Sequence, residues 1–196
     1  MGGKPRLVIA SANPDKVKDL VELLGDRYEV VPRPADAPET IEDADTLEGN
    51  AIKKASEIAT FTGCDAIADD TGLFVDALGG RPGVYSARYA GENATYAENV
   101  AKLLGELDGV EDRRAEFRSV VALIRPDGSG VTGEGSVTGR IIDVGRGANG
   151  FGYDPVFEPD EGDGQTFAEM SSAEKHELSH RGRAMISLRM ALDHLS

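Results

Sequence analysis

Leu7-Val8-Ile9-Ala10-Ser11-Ala12-Asn13-Pro14-Asp15-Lys16 sets the architecture of this chain from its first residues. The apolar run Leu7 to Ala10 reads as a buried strand. Asn13-Pro14 then reads as a helix N-cap followed by proline at the first helical position, where its missing N–H costs nothing. Val17, Leu20, Val21 and Leu24 keep the i, i+3, i+4, i+7 spacing of a one-faced helix, and Gly25 supplies its stop. The opening unit is therefore strand, tight turn, helix, which points to an α/β protein. A turn of this kind aims backbone N–H groups and the positive end of a helix dipole at one spot, where an anion is stabilised.

Tyr28 to Val31 reads as the next strand, Pro32 to Asp45 as a proline- and acid-rich surface loop, and Leu47 to Thr60 as a helix whose start is weakened by Gly49. Thr95-Tyr96-Ala97-Glu98 fits a capping box that opens a helix through Leu104. Ala115 to Ile124 and Val131 to Val137 flank the turn Pro126-Asp127-Gly128-Ser129-Gly130 as a hairpin, with Arg140 to Val144 as a candidate third strand. Met185, Leu188, Leu192 and Leu195 mark the apolar stripe of a closing helix.

The chemical centre is expected where Asp69-Asp70-Thr71-Gly72 closes the apolar run Ala66-Ile67-Ala68 and leads into the glycine-dense stretch Gly79 to Gly91. Two carboxylates at a strand end suit a hard divalent cation. Mg²⁺ dehydrates reluctantly and is usually held by one or two carboxylates together with substrate phosphates. If the strand stays extended through them, Asp69 and Asp70 point to opposite sides. A turn pair capping backbone amides is the structural alternative.

Composition narrows the classes. At 196 residues with 40% hydrophobic content, the chain can bury a full core as one domain or as two lobes. No apolar run of about 18 residues is present to span a bilayer, and Met1 to Arg6 lacks a signal-peptide pattern, so a cytoplasmic protein is expected. Cys64 is the only cysteine; it is read as a packed thiol, and it excludes an intrachain disulfide or a cysteine-rich zinc site. The net charge of −14, from 35 acidic and 21 basic residues, opposes nonspecific binding of nucleic acid. An acidic surface with few lysines also suits a high-salt cytoplasm, an ordinary acidic bacterial protein being the alternative. A polyanionic ligand would need a local basic cluster and a metal ion here.

Four blocks resemble one family in the same order along nearly the whole chain: Ala10 to Lys16, Asp69 to Gly91, Gly150-Phe151-Gly152-Tyr153-Asp154-Pro155, and Glu174-Lys175-His176-Glu177-Leu178-Ser179-His180-Arg181-Gly182. That family is the inosine triphosphate pyrophosphatases, also called XTP/dITP diphosphatases. The resemblance implies an α/β fold with a mixed, twisted sheet and flanking helices, arranged as two lobes around a central nucleotide-binding cleft in a single domain over 1–196. It implies hydrolysis of ITP, dITP and XTP to the monophosphate and pyrophosphate, with Mg²⁺ as cofactor, Mn²⁺ as its substitute, and a homodimer as the assembly.

Residue by residue, the resemblance assigns the triphosphate to Ser11, Ala12, Asn13, Pro14, Asp15 and Lys16. It makes Asp70 the catalytic base or water-orienting metal ligand and places Thr71 on the substrate. Phe151, Gly152, Tyr153 and Asp154 fall to the nucleobase, as do Lys175, His180 and Arg181 to substrate binding. Glu42 is matched to a second metal ligand, with Asp43, Asp45 and Glu48 as competitors. The family usually has glycine where Ala12 stands, which matters if that position needs a positive φ. Core packing is the alternative for Phe151 and Tyr153, and His176 carries no assignment. A Maf-like pyrophosphatase of pyrimidine or modified nucleotides, and a nonhydrolytic nucleotide-binding regulator, are the rival functions.

Overall fold

The computed structural model describes residues 3–194. Met1 and Gly2 lie outside that range, as does Leu195, which was expected in the closing stripe. Among the described residues the order is β1 (Arg6–Ile9), α1 (Pro14–Leu24), β2 (Glu29–Val31), α2 (Leu47–Thr62), β3 (Asp65–Val75), β4 (Pro82–Gly83), α3 (Tyr96–Glu106), β5 (Arg114–Ile124), β6 (Gly130–Ile141), β7 (Phe157–Pro159), α4 (Ser172–Leu178) and α5 (His180–Asp193). A seven-stranded sheet runs β2-β1-β3-β5-β6-β7, with β4 on β3. It is mixed: β1 pairs in parallel with β2 and with β3, whereas β4 and β7 pair antiparallel with β3 and β6.

The chain divides into two compact units. The first comprises 1–70, 120–134 and 184–196. Its core gathers Leu7 and Ile9 from β1, Leu20 and Leu24 from α1, Ile67 from β3, Val121 and Leu123 from β5, and Ala184, Met185 and Leu188 from α5. Leu20 and Leu24 are two of the four α1 residues selected by the helical period and Val17 packs against this core, but Val21 is 41% exposed; Gly25 closes the helix with φ 58°. The second unit comprises 71–119 and 135–183. Its core is richer in aromatics, with Phe117, Tyr153, Phe157 and Phe167 packed among Leu73, Leu103 and Ile141.

Two expectations change. Asp69-Asp70-Thr71-Gly72 does not end a strand, because β3 continues unbroken from Asp65 to Val75. The dipeptide Thr71-Gly72 mimics a turn, but Gly72 is required by a close approach: a Cβ there would lie 2.7 Å from the carbonyl oxygen of Gly83. Nor is Arg140 to Val144 a separate strand. Residues 140 and 141 finish β6, which runs 12 residues from Gly130. The hairpin turn itself is as expected, with the Arg125 amide donating to the Ser129 carbonyl at 2.8 Å. Cys64 is free and half-buried. No described helix is long and apolar enough to cross a membrane.

Candidate functional site

In the first unit, local capping sets the geometry of the expected phosphate turn. Asn13 is the N-cap of α1, and its side-chain oxygen accepts from the amides of Asp15 at 2.9 Å and Lys16 at 3.4 Å. The Asn13 amide in turn donates to Ser11 Oγ at 3.1 Å. Two first-turn amides expected to face an anion are thus capped by the asparagine, since an Asx N-cap satisfies them internally. Ala12 carries no strain: Asp163 is the only non-glycine with positive φ among the described residues. Pro14 is the first helical residue, and Lys16 reaches out of the first turn to Asp69, with Nζ 3.5 Å from Oδ2.

The alternation of β3 sends the two aspartates to different partners. Asp69 meets Lys16, while Asp70 meets residues of α2. Its Oδ1 lies 3.0 Å from Lys54 Nζ, and its Oδ2 accepts from Asn50 Nδ2 at 3.2 Å. Lys54 also binds Glu42 Oε1 at 2.7 Å. Glu42 is therefore brought to Asp70 through a shared ammonium. Its competitors are engaged elsewhere or lie outward: Asp43 pairs with Lys53 at 2.6 Å, Glu48 accepts from Thr132 at 3.1 Å, and Asp45 is exposed.

Asn50 and Lys54 escaped the sequence reading, yet a signal for them exists. The buried face of α2 reads Leu47, Asn50, Ala51, Lys54, Ala55, Ile58, Ala59, a regular helical stripe. Two polar residues on an otherwise apolar stripe must find partners within the fold, because burying them unpaired is costly.

Electrostatics tie this group together. Burial pushes the Asp70 carboxyl above the usual aspartate range, Lys54 and Lys16 pull it back, and Glu42 adds to the rise. Burial also opposes the charge on Lys54, but Asp70, Glu42 and Asp69 outweigh it and hold that ammonium above its ordinary value. Both groups are raised, for opposite reasons: three carboxylates favour the charged form of Lys54, whereas desolvation disfavours the charged form of Asp70. Lys54 is a charged ammonium at neutral pH.

The second unit assembles most of the residues assigned to the base. Gly150, at φ 70°, passes so close to Asp154 that a Cβ would collide with its carboxylate. That carboxylate accepts from the Phe151 amide at 2.7 Å and from Lys175 Nζ at 2.6 Å. Asp154 thereby fastens its own loop to Lys175 of α4, which opens with a capping box between Ser171 and Glu174. Both members of the pair are buried, and burial drives the Asp154 carboxyl up against the opposing pull of Lys175.

Phe151 is half-buried, with Lys175 Nζ 4.9 Å and the Arg181 guanidinium carbon 5.4 Å from its ring centroid. Gly152, at φ 64°, follows it in the turn. Arg181 is 2% exposed and donates from Nη2 to Thr71 Oγ1 at 3.3 Å, and Thr71 lies 2.5 Å from Ser119 Oγ. His180 stacks on Phe117 at 4.5 Å with a 16° tilt. Tyr153 sits apart from this group. Its ring is buried in the core, and its hydroxyl donates to the Ser86 carbonyl at 2.9 Å, as the packing alternative requires.

Comparison with known proteins gives this arrangement a family. Residues 7–191 match the model of the Ham1 family. A dITP/XTP pyrophosphatase of Geobacter sulfurreducens is 48% identical over 198 residues, covering 97% of this chain and 96% of that protein. One from Shouchella clausii is 47% identical over 192 residues, covering 95% and 96%. Among solved structures, the Ham1 protein of Staphylococcus aureus matches with a TM-score of 0.85 at 39% identity, over 97% of this chain and all 100% of that one. A HAM1 protein from Coxiella burnetii matches at 0.86 and 39%, over 97% and 99%. With a family match that spans both compact units and relatives nearly half identical from end to end, the chain belongs to the Ham1 family.

Proposed function

We propose that this chain hydrolyses noncanonical purine nucleoside triphosphates, ITP, dITP and XTP, to the monophosphate and pyrophosphate, clearing deaminated purines from the nucleotide pool. The observation that carries it is the array of buried Asp69, Asp70 and Lys54 with half-buried Glu42 and Lys16, in a chain whose relatives are named dITP/XTP pyrophosphatases. The reaction is assigned to the cytoplasm and to a homodimer, with residues 1–196 taken as a single domain. No nucleic acid or membrane takes part.

Lys16 is assigned to the triphosphate, with the positive end of the α1 dipole behind it and Ser11, Ala12, Asn13, Pro14 and Asp15 shaping the turn. Asp70 accepts the proton of the water that attacks the α-phosphorus. Its burial raises its basicity, and the positive charge of Lys54 opposes that rise. Glu42 and Asp70 fit a divalent ion, because their oxygens already converge on one cation, Lys54 Nζ, at 2.7 and 3.0 Å. Among the described residues no third His, Cys, Asp or Glu joins them, so the remaining ligands of such an ion would come from substrate and solvent. Bound there, Mg²⁺, or Mn²⁺ in its place, supplies charge stabilisation to the phosphates.

For the base, Phe151 offers an aromatic face and Gly152 an approach without a side chain. Arg181, which donates to Thr71, is a fork of N–H donors without an acceptor, and a 6-keto purine presents an acceptor at O6 where adenine presents a donor. Asp154 and Lys175 hold the Phe151 loop, His180 backs it from the aromatic core, and Tyr153 acts through packing.

The test is a pyrophosphate-release screen across ITP, XTP, dITP, UTP and ATP with and without Mg²⁺. Pyrophosphate from the deaminated purines, abolished by EDTA, is the expected result. Orthophosphate as the first product sinks the mechanism, and preference for UTP favours the Maf-like rival. Arg181→Ala should reduce the preference for ITP over ATP. Hydrogen-bonding sites discriminate by up to about 10⁴-fold, and one side chain accounts for part of that. Lys16→Ala should instead depress both substrates alike, since their triphosphates are identical. Equal losses of ITP and ATP turnover in Arg181→Ala would remove Arg181 from base reading.

A further inference from the structure

Lys54 occupies the point on which both proposed metal ligands converge. Its Nζ lies 2.7 Å from Glu42 Oε1 and 3.0 Å from Asp70 Oδ1, and its side chain is 10% exposed. The second Asp70 oxygen is spent on Asn50 at 3.2 Å. An ammonium and a divalent ion carry like charge, so they contend for the same carboxylate oxygens. At a few ångströms in a partly buried site their repulsion is large.

We infer that Lys54 is the resident counter-ion of the Glu42–Asp70 pair and keeps divalent metal out of it until a triphosphate arrives to receive the ammonium. The inference rests on the reading of Glu42 and Asp70 as metal ligands. Lys54 is rooted on the buried face of α2, so its backbone stays in place while the flexible four-carbon stem swings. Moving that ammonium off two carboxylates with no new anion leaves a buried charge unpaired, which is strongly unfavourable. A polyphosphate supplies the missing anion. Metal and nucleotide then bind with positive coupling, and by linkage each raises the affinity of the other by the same factor.

The experiment measures Mn²⁺ binding to the nucleotide-free protein by the EPR signal of free Mn²⁺, together with a melting curve for each variant. Lys54→Gln should bind Mn²⁺ about ten- to a hundredfold more tightly than the wild type, and Lys54→Arg, which keeps the charge, should stay as weak as the wild type. Unchanged or weaker binding by folded Lys54→Gln overturns the inference. If Lys54→Gln gains affinity and Glu42→Gln/Lys54→Gln keeps all of it, the assignment of Glu42 as a ligand falls instead. Should Lys54→Gln not fold, the wild type decides through the ¹⁵N resonance of the Lys54 ammonium, identified by its loss in Lys54→Arg. That signal should move when Mg²⁺ and α,β-imido ITP are added together and stay put with Mg²⁺ alone. Movement with Mg²⁺ alone overturns the inference.

Discussion

Asp70→Asn is expected to lower turnover by about 10²–10⁴-fold, the usual cost of losing a general base, while the protein still folds. The amide keeps an oxygen for Lys54 but cannot take a proton from water, and it removes one charge from the proposed metal pair. Folding should survive because burial already opposes the charged form of this carboxyl, so neutralising it relieves desolvation as it weakens the ion pair. Steady-state pyrophosphate release and a melting curve on the same sample test both halves. Asp69→Asn should be milder in turnover, since the ion pair of Asp69 is with Lys16 and its link to Lys54 is a weaker electrostatic one than that of Asp70 or Glu42. Equal losses in two folded variants would contradict the assignment of Asp70 as the active member. In the wild type, the acid limb of kcat/KM should lie above the ordinary aspartate range, because burial raises Asp70, and it should be absent from the residual activity of Asp70→Asn.

Lys175→Met should destabilise the fold by about 3–5 kcal/mol, the cost of stripping one partner from a buried ion pair. Lys175 and Asp154 are 6% and 3% exposed and 2.6 Å apart, so solvent screens little of their attraction. Without the ammonium, the desolvation that already drives the Asp154 carboxyl upward goes unopposed by its nearest cation. Asp154→Asn/Lys175→Met should recover most of the loss. The amide oxygen still accepts from the Phe151 N–H, and neither member of the former pair is then charged. Urea unfolding of the two variants beside the wild type measures the difference. A double variant no more stable than Lys175→Met would show that the methionine fails by packing and not by charge.

These two sites also mark the boundary between what was legible in the chain and what was not. Helix starts were readable because their causes lie within a few residues: Asn13 caps the amides of Asp15 and Lys16, and Thr95 and Glu98 exchange the bonds of a capping box. The apolar periods of α1 and α5 are equally local, and Leu20, Leu24, Met185 and Leu188 reach the core of the first unit as expected, whereas Val21 stays exposed. The family was visible too, since the four blocks that carried the resemblance are spread over nearly the whole chain and the Ham1 family model matches residues 7–191.

Tertiary structure decided what depends on residues far apart in sequence. The extension of β3 through Asp69-Asp70-Thr71-Gly72 follows from strand neighbours that local signals do not contain, and Gly72 is small because the Gly83 carbonyl needs its space. Lys54 lies 16 residues before Asp70 and 12 after Glu42, so nothing in the spacing showed that one ammonium joins both carboxylates. Tyr153 is separated from Ser86 by 67 residues, and only that contact turns a candidate stacking ring into a core one. Short-range sequence therefore determined the caps, periods and chemical inventory. Long-range packing determined which charges are buried together, because desolvation and pairing act on neighbours in space.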